Sequence, residues 1–579
     1  MTTSITADQI VRNMDQMRTE RLELNRQLEE CAALACPEKL GMLFDGGNKD
    51  SDRRPAKIII DTVSEANSIL ARGLYSNLTP PGAQWFKISC RDKKLSEIEE
   101  VKTWFNKSSE TLFMLLADSN FNMEICEAFE DLGWAGFVNM YVEPDAVRKF
   151  RFCNLHVSEF YCQENAQKEI DTVYREFKLT ARQLVEMFGA EGDTIPKKIA
   201  ELAASTDFAK QTQQFSVIHA VYPNRERQRD SNGNPLPDNK NKAFRSIYVC
   251  RDEKAIIRES GYDDNPHTVA RFEKKSKSIY GFSPCRRIRR TAMTMNKVWW
   301  TVLKMGDKLV DPPVMMDAAA YRGLTPQFFQ NPGAVNMYDS SAAGGNGKPE
   351  FLQIPSQLPY GIEILNLLKN DIEKAYFVNL FQMLQQLYEQ SKTQRTAYEV
   401  MQLVAEKMAM VIPVVGRLLE ELLGPIILKC WRIAYRAGAF GQCPVVGLNK
   451  EPLPADLLPV DVSFDSPLAL AAKQAVSKGV MDGINALASV AQLDGGACFD
   501  YIDTDKLAGM VLDIYAVSPD LIRSETKVQD IRKIRQEAAA QQQQQAMLLE
   551  AAKSQNLTGP IDPQSAAARL LPGGLTGGK

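Results

Sequence analysis

With 579 residues, 44% of them hydrophobic and 24% charged, the chain has a globular composition and the length for about four domains of ordinary size. Lysine and arginine number 69 against 72 acidic residues, so the net charge is -3, which excludes coating of nucleic acid through bulk charge and leaves local basic patches open. The 11 cysteines include no C-x-x-C pair and read as a reduced, intracellular set; neither a signal peptide nor a spanning segment of ~18 apolar residues is expected.

Residues 7–35 are charged and amphipathic, with Ile10, Met14, Met17, Leu22, Leu24 and Leu28 on the apolar side of a surface-docked helix. Gly46-Gly47-Asn48 and the charged run Asp50–Arg54 form a loop. From Ile58 to Leu78, the residues Ile59, Val63, Ala66, Leu70 and Leu74 recur at steps of three and four, which predicts a helix stopped by Thr79-Pro80-Pro81-Gly82. Trp85–Ile88 reads as a short strand, and helices follow near 96–118 and 121–132. Residues 134–290 form an α+β region. Strands are expected over Phe137–Val142, Phe150–Leu155, Ile170–Phe177, Val217–Tyr222, Ser246–Val249 and Ile256–Ile257, with one helix at about 180–189 and a turn over 231–238.

From Pro284 the period becomes helical, with Ile288, Ala292, Met295, Trp299, Val302 and Leu303 on one face. Gly306 and Asp311-Pro312-Pro313 close a helix of ~22 residues, or ~33 Å. Residues 314–359 lose periodicity and fill with Gly, Pro, Asn and Phe. Ile362–Tyr388 regains it through Leu365, Leu368, Ile372, Tyr376, Leu380, Met383 and Leu387, a helix of ~27 residues and ~40 Å. A helical hairpin carrying a compact, loop-rich insert at its far end is therefore expected.

The second long helix runs into a polar break, Glu389-Gln390-Ser391-Lys392-Thr393-Gln394-Arg395. Thr396 and Glu399 then have the spacing of a capping box. A short polar loop between two rigid helices suits a finger pushed into a lumen, and an ordinary helix–loop–helix carries the same pattern. Cys443–Pro459 is a proline-rich connection. Ser466-Pro467 opens helices over 467–492 and 503–516, a charged helix runs from Glu525 to about Glu550, and 559–579 is expected to be disordered.

A search for chemistry returns little. His156, His219 and His267 are the only histidines, none at ligand spacing from another, and each reads as a core or surface residue. Gly344-Gly345-Asn346-Gly347-Lys348 resembles a phosphate loop, but Ala342 and Pro349 stand where Gly and Ser/Thr are required. Asp503-Thr504-Asp505 lacks the Gly and Glu of a calcium loop. No catalytic, cofactor or metal site is expected. Arg286, Arg287, Arg289 and Arg290 crowd the N-terminus of the first long helix, the end where the dipole disfavours cations. They call for acidic partners: a neighbouring subunit, phosphates, or carboxylates of the same chain. Lys392 and Arg395 form a second basic pair, suited to weak, sequence-blind phosphate contacts or simply exposed to solvent.

Five stretches resemble the head-to-tail connector, or portal, proteins of short-tailed bacteriophages. They are Asp61–Ala66 with Leu70–Phe86; Ile170–Phe177 followed by Leu179–Leu184; Thr396-Ala397-Tyr398-Glu399-Val400, with Tyr398 where the family has Thr; Gly416–Pro425 with Arg436-Ala437-Gly438; and Val517-Ser518-Pro519, Ile522–Glu525 and Ile534-Arg535-Gln536. The resemblance covers most of the chain and rests on the order of these motifs. It implies a predominantly helical α+β subunit, not an enzyme, that assembles into a ring of usually twelve at one capsid vertex of the virion. Double-stranded DNA would pass through the ring regardless of sequence. The terminase large subunit, a tail adaptor, and the scaffolding and major capsid proteins would be its partners, with no membrane. The implied division is a wing over 1–280 and 396–460, stem helices over 281–310 and 359–388, a clip over 311–358, a tunnel loop over 389–395, a crown over 461–530, and a C-terminal helix and tail over 531–579. On that division Gln390, Ser391, Lys392, Thr393, Gln394 and Arg395 face DNA, and Thr396 and Glu399 cap the loop. The rival readings are a helical scaffold outside viruses and an enzyme with a dispersed site in 134–290.

Overall fold

The computed structural model describes residues 6–40, 58–96, 98–189, 193–228, 238–317, 331–338, 350–351, 358–383, 411–445, 458–466, 507–509 and 525–555, with single residues Leu236, Phe329, Pro454 and Leu487. It is an α+β chain. The readings of Gly46–Asn48, Asp50–Arg54, Gly344–Lys348, 389–399, Asp503–Asp505 and 559–579 fall outside the described residues, as do most of 231–238, 467–492 and 503–516.

The N-terminal segment is two helices, not the single one expected: α1 (Ala7–Glu20) and α2 (Leu22–Ala35). Ile10, Met14 and Met17 bury onto a sheet, against Tyr161, Tyr174, Ile218 and Ile247. The break lies at Arg21, whose side chain is drawn inward. Only 2% exposed, it donates to the Phe160 and Val157 carbonyls and stacks 3.9 Å over the Tyr161 ring. Leu22 turns outward as a result. A short α3 (Pro37–Leu40) follows.

Helix α4 (Thr62–Leu78) begins four residues later than expected: Ile58–Ile60 lie outside any helix or strand, and the Ile59 amide donates to Asn296 Oδ1 at 2.9 Å. β1 (Phe86–Cys90) pairs antiparallel with β13 (Val460–Phe464), a strand that was not expected although its residues alternate apolar and polar. After α5 (Lys93–Ser96), α6 (Glu99–Asp118) and α7 (Phe121–Trp134) stand close to their expected limits.

The α+β region contains two sheets. One has the order β3-β2-β9, formed by β2 (Phe137–Asp145), β3 (Lys149–Asn154) and β9 (His267–Arg271). The other is the antiparallel β4-β5-β6-β7-β8, formed by β4 (Phe160–Glu164), β5 (Ile170–Thr180), β6 (Gln214–Pro223), β7 (Phe244–Cys250) and β8 (Ala255–Tyr262). β4 and β9 were not expected; neither Phe160–Glu164 nor His267–Arg271 alternates apolar with polar residues. Three helices interrupt the strands rather than one: α8 (Ala181–Phe188), α9 (Lys197–Ala203) and α10 (Phe208–Gln211). α1 packs on one face of the larger sheet and α8 and α9 on the other, each with its own small core. A much larger core joins α2, α4, α6, α7, the smaller sheet and the long helices.

Helix α11 (Pro284–Val310) has 27 residues and runs through Gly306, where nothing lies near enough to exploit the missing side chain. It ends at Asp311, since the residue before a proline is pushed out of the helical region. Helix α12 (Leu358–Ala375) returns antiparallel to it: Tyr376 meets Cys285 at one end, and Gly361 meets Val302 at the other. The expected continuous second helix is broken at Tyr376–Phe377, with Phe377 at φ +56° before helical residues resume at 378–383. The break lets Tyr376 bury fully, its hydroxyl donating to the Gly133 carbonyl at 3.4 Å, while Phe381 closes on Gly73. The insert between α11 and α12, expected to be loop-rich, holds β10 (Val314–Asp317), parallel to β11 (Val335–Tyr338) and antiparallel to β12 (Glu350–Phe351).

The chain resumes as α13 (Ile412–Leu418), a π-helical turn (Leu419–Leu423) and α14 (Gly424–Arg436). The final helix, α15 (Glu525–Gln555), has 31 residues, or ~46 Å, and its described side chains lie mostly in solvent.

Candidate functional site

The root of the α11–α12 hairpin gathers the arginines singled out in the sequence. Ser283 caps α11, its hydroxyl accepting from the Arg286 amide at 3.0 Å, and Pro284 occupies the first turn. Gly281, just before, lies so close to Gly136 that a Cβ there would meet the Gly136 carbonyl oxygen at 2.0 Å. This close approach fixes where the helix starts.

The four arginines then separate. Arg286 donates to the Gly281 carbonyl and to Gln27 Oε1, each at 3.1 Å, and stacks on Phe282. Burial lowers its pKa below the usual value, and its Nε has no partner. Arg287 pairs with Glu273, and Arg289 with Glu30 at 3.1 Å. Arg290 is exposed and forms no ion pair among the described residues. Three of the four therefore tie α11 to α2 and to the segment before it.

A second node faces this root. The π-helical turn aims Glu421 at Arg271 of β9: Oε1 accepts from the guanidinium at 2.8 Å, and Oε2 accepts from the Arg271 Nε at 3.2 Å and its amide at 3.0 Å. Glu164 takes the remaining arm at 2.7 Å. Arg417 donates to the Phe272 carbonyl at 3.0 Å. Further along the chain, Lys429 donates to the His267 carbonyl at 2.7 Å and to Thr268 Oγ1 at 2.6 Å. Burial drops the Lys429 pKa to about 7, against the opposing pull of Asp264. Lys429 also borders a cavity of about 530 Å³ beside Asp263, Asp264 and Arg436. Sequence reasoning missed Arg271, Glu421 and Lys429. Their partners lie more than 100 residues away, and nothing local marks them.

Each histidine is held within the α+β region. His219 stacks on Tyr248 at 3.9 Å and bonds Ser246 Oγ, and His267 sits beside Asn139. Burial lowers the pKa of His156 to about 4, that of His219 to about 3 and that of His267 well below its usual value. Among the described residues, one group brings three potential metal ligands within 4.8 Å of one another: Cys36, Glu38 and Glu130. The Cys36 thiol is pushed up by burial, the wrong direction for a ligand, and Lys39 already serves the neighbouring carboxylates of Asp131 and Glu127. Gln390, Ser391, Lys392, Thr393, Gln394, Arg395, Thr396 and Glu399 lie outside the described residues. What the described chain brings together is a rigid hairpin, bolted at its root to the segments on either side of 384–410.

Comparison with known proteins places the chain in a family. Residues 7–522 match the model of the bacteriophage head to tail connecting protein family. The chain is 26% identical over 570 residues to the portal protein of Salmonella phage epsilon15, covering 97% of each. It is also 26% identical over 551 residues to the probable portal protein of Bordetella phage BPP-1, covering 94% of each. The chain belongs to the bacteriophage head to tail connecting protein family.

Proposed function

We propose that this chain is the repeating subunit of a portal ring, with the twelve copies usual for its family, that forms the DNA channel at one vertex of a phage capsid. The observation that carries the proposal is the uncovered apolar surface of the hairpin. α11 buries Ile288, Ala292 and Met295 near its root, yet further out Leu303 is 42% and Val310 87% exposed; on α12, Ile362 beside that stretch is 45% exposed and Leu367, level with Met295, is 60% exposed. A single subunit leaves this apolar surface in water, and neighbours in a ring would cover it.

In this reading the wing comprises 1–280 and 396–460, the stem 281–310 and 359–388, and the crown 461–530, with 531–579 as a terminal extension. The small sheet of β10, β11 and β12 belongs to the clip (311–358), where the terminase large subunit docks for packaging and a tail adaptor binds afterwards. Scaffolding and major capsid proteins meet the ring during head assembly in the host cytoplasm. The tunnel loop, 389–395, projects into the lumen, with Thr396 and Glu399 fixing its end. Lys392 and Arg395 there touch duplex DNA through phosphates alone, which lets it slide.

Native mass spectrometry and negative-stain imaging of the purified chain, alone and with scaffolding protein, test the ring. Annular particles are expected; monomers under every condition would overturn the proposal. Replacing Lys392 and Arg395 with Ser is expected to leave rings intact and change DNA packaging or retention. Normal packaging would remove both residues from that role.

A further inference from the structure

We infer that Lys429 is an acylation site, its Nζ taking the acyl group of a small acyl phosphate that enters the cavity beside it. The inference stands apart from the ring reading above. Lys429 reaches from α14 to β9, the edge strand of its sheet, where it donates to the His267 carbonyl at 2.7 Å and to Thr268 Oγ1 at 2.6 Å. These bonds use two tetrahedral positions of the nitrogen, and Cε uses a third. The fourth has no hydrogen-bond partner among the described residues, and Lys429 lines a cavity of about 530 Å³. A neutral amine satisfies this arrangement with its two hydrogens and keeps a lone pair for the fourth position. An ammonium would instead leave one donor without a protein partner.

The carboxylates around the cavity do not hold the ammonium form. Three line it, and each is engaged elsewhere. Asp145 accepts from the Val147 and Arg148 amides at 2.7 and 2.8 Å. Asp263 pairs with Lys242 at 3.2 Å and with Arg436 at 3.6 Å. Asp264 pairs with Arg432 and, at 3.3 Å, with Arg436. Burial therefore dominates the amine: Asp264 favours its charge, Arg432 opposes it, and the pKa drops from 10.5 to about 7. At pH 7 about half of such an amine is unprotonated, against roughly 0.04% of a solvated lysine titrating at ~10.4. A lysine held neutral by burial is a nucleophile at neutral pH.

The cavity also selects the electrophile. Val142, Pro266 and Ile433 on its wall suit a short acyl chain, while Lys149, Lys242 and Arg436 on the same wall suit a phosphate leaving group. The Nζ lone pair attacks the acyl carbon and an N–C bond forms. The bond from that carbon to the phosphate oxygen breaks, and inorganic phosphate departs with the proton that the amine gives up. The product amide has a single N–H, so only one of the two bonds from Lys429 to β9 survives acylation.

The test incubates the full-length protein with acetyl phosphate at a series of pH values and follows acetylation of each lysine by quantitative mass spectrometry after digestion. Near neutral pH, Lys429 is expected to react about tenfold faster than the exposed Lys197 and Lys210. Its rate should level off above about pH 8, whereas that of a solvated lysine climbs to about pH 10. Concentrated urea should abolish the preference. Lys429 reacting no faster than Lys197, or with a rate that climbs to about pH 10, overturns the site. A second comparison checks the electrophile. K149Q/K242Q should slow acetylation of Lys429 by acetyl phosphate about threefold while sparing its reaction with acetic anhydride, which carries no phosphate. Equal effects on the two reagents overturn the phosphate-bearing donor.

Discussion

Glu421 and Arg271 clasp each other across 150 residues of sequence, the carboxylate receiving two guanidinium donors and the Arg271 amide as well. The π-helical turn makes the clasp possible. One extra residue in that turn rotates Glu421 toward β9, where a regular helix would carry it past. Because β9 leads through Phe272 into α11, the clasp ties the helix after 384–410 to the root of the hairpin.

Removing Arg271 strands the Glu421 carboxylate, and removing Glu421 leaves the buried Arg271 with Glu164 as its one remaining carboxylate. The Arg271 side chain is 6% exposed and that of Glu421 21%. E421Q or R271M is expected to cost ~3 kcal/mol or more, and the double variant R271M/E421M less than the sum of the singles. Urea unfolding followed by near-UV circular dichroism measures both; additive costs would show that the pair is not coupled.

Acid should weaken the fold through its histidines. Their pKa values are depressed in the folded state, to about 4 for His156 and about 3 for His219, while the unfolded chain titrates near the usual 6.5. As pH falls through 6.5, the unfolded chain gains protons that the folded chain refuses, so stability is lost from there down to the folded values. Lys429, at about 7, acts in the same sense between pH 10.5 and 7. The melting temperature is expected to fall steadily from about pH 7 to about pH 5, and more shallowly in a His219→Asn variant. A flat profile over that range would contradict the burial of these rings.

The break in the second long helix depends on a glycine. A Cβ on Gly73 would lie 2.4 Å from the Phe381 ring, which the left-handed Phe377 delivers to that spot. G73A gains ~1 kcal/mol of helix propensity but must displace a buried ring at a cost of ~1–3 kcal/mol, so net destabilisation is expected. Adding F381L should recover part of the loss. A stabilised single variant would place Phe381 elsewhere.

The sequence displayed what depends on local period and hid what depends on distant partners. α6, α7 and α11 were legible because their apolar residues recur at helical spacing. β13 was legible too, since Val460, Val462 and Phe464 alternate with Asp461 and Ser463, but it directly follows the proline-rich connection and was passed over; only its pairing with Phe86–Cys90 needed the fold. The break at Phe377 escaped because Leu365, Leu368, Ile372, Tyr376 and Leu380 keep a helical period straight through it. What ends the helix there is the packing of Tyr376 and Phe381 on α7 and α4. The arginine cluster was visible as four like charges; only the fold shows that Glu273, Glu30 and Gln27 engage three of them.

The exposed apolar residues of the hairpin offer the sharpest test of assembly. Leu303 and Leu367 are exposed on neighbouring antiparallel helices and contribute little to the fold of a lone subunit, so charging them should spare the monomer. Burying an unpaired carboxylate between subunits, by contrast, costs several kcal/mol at every interface of a ring. L303D/L367D is therefore expected to keep the circular dichroism and melting temperature of the unaltered protein but to yield monomers where that protein gives rings. Rings in the double variant would mean that subunits meet on another surface. A variant that also failed to fold would show that this hairpin face is covered within one chain.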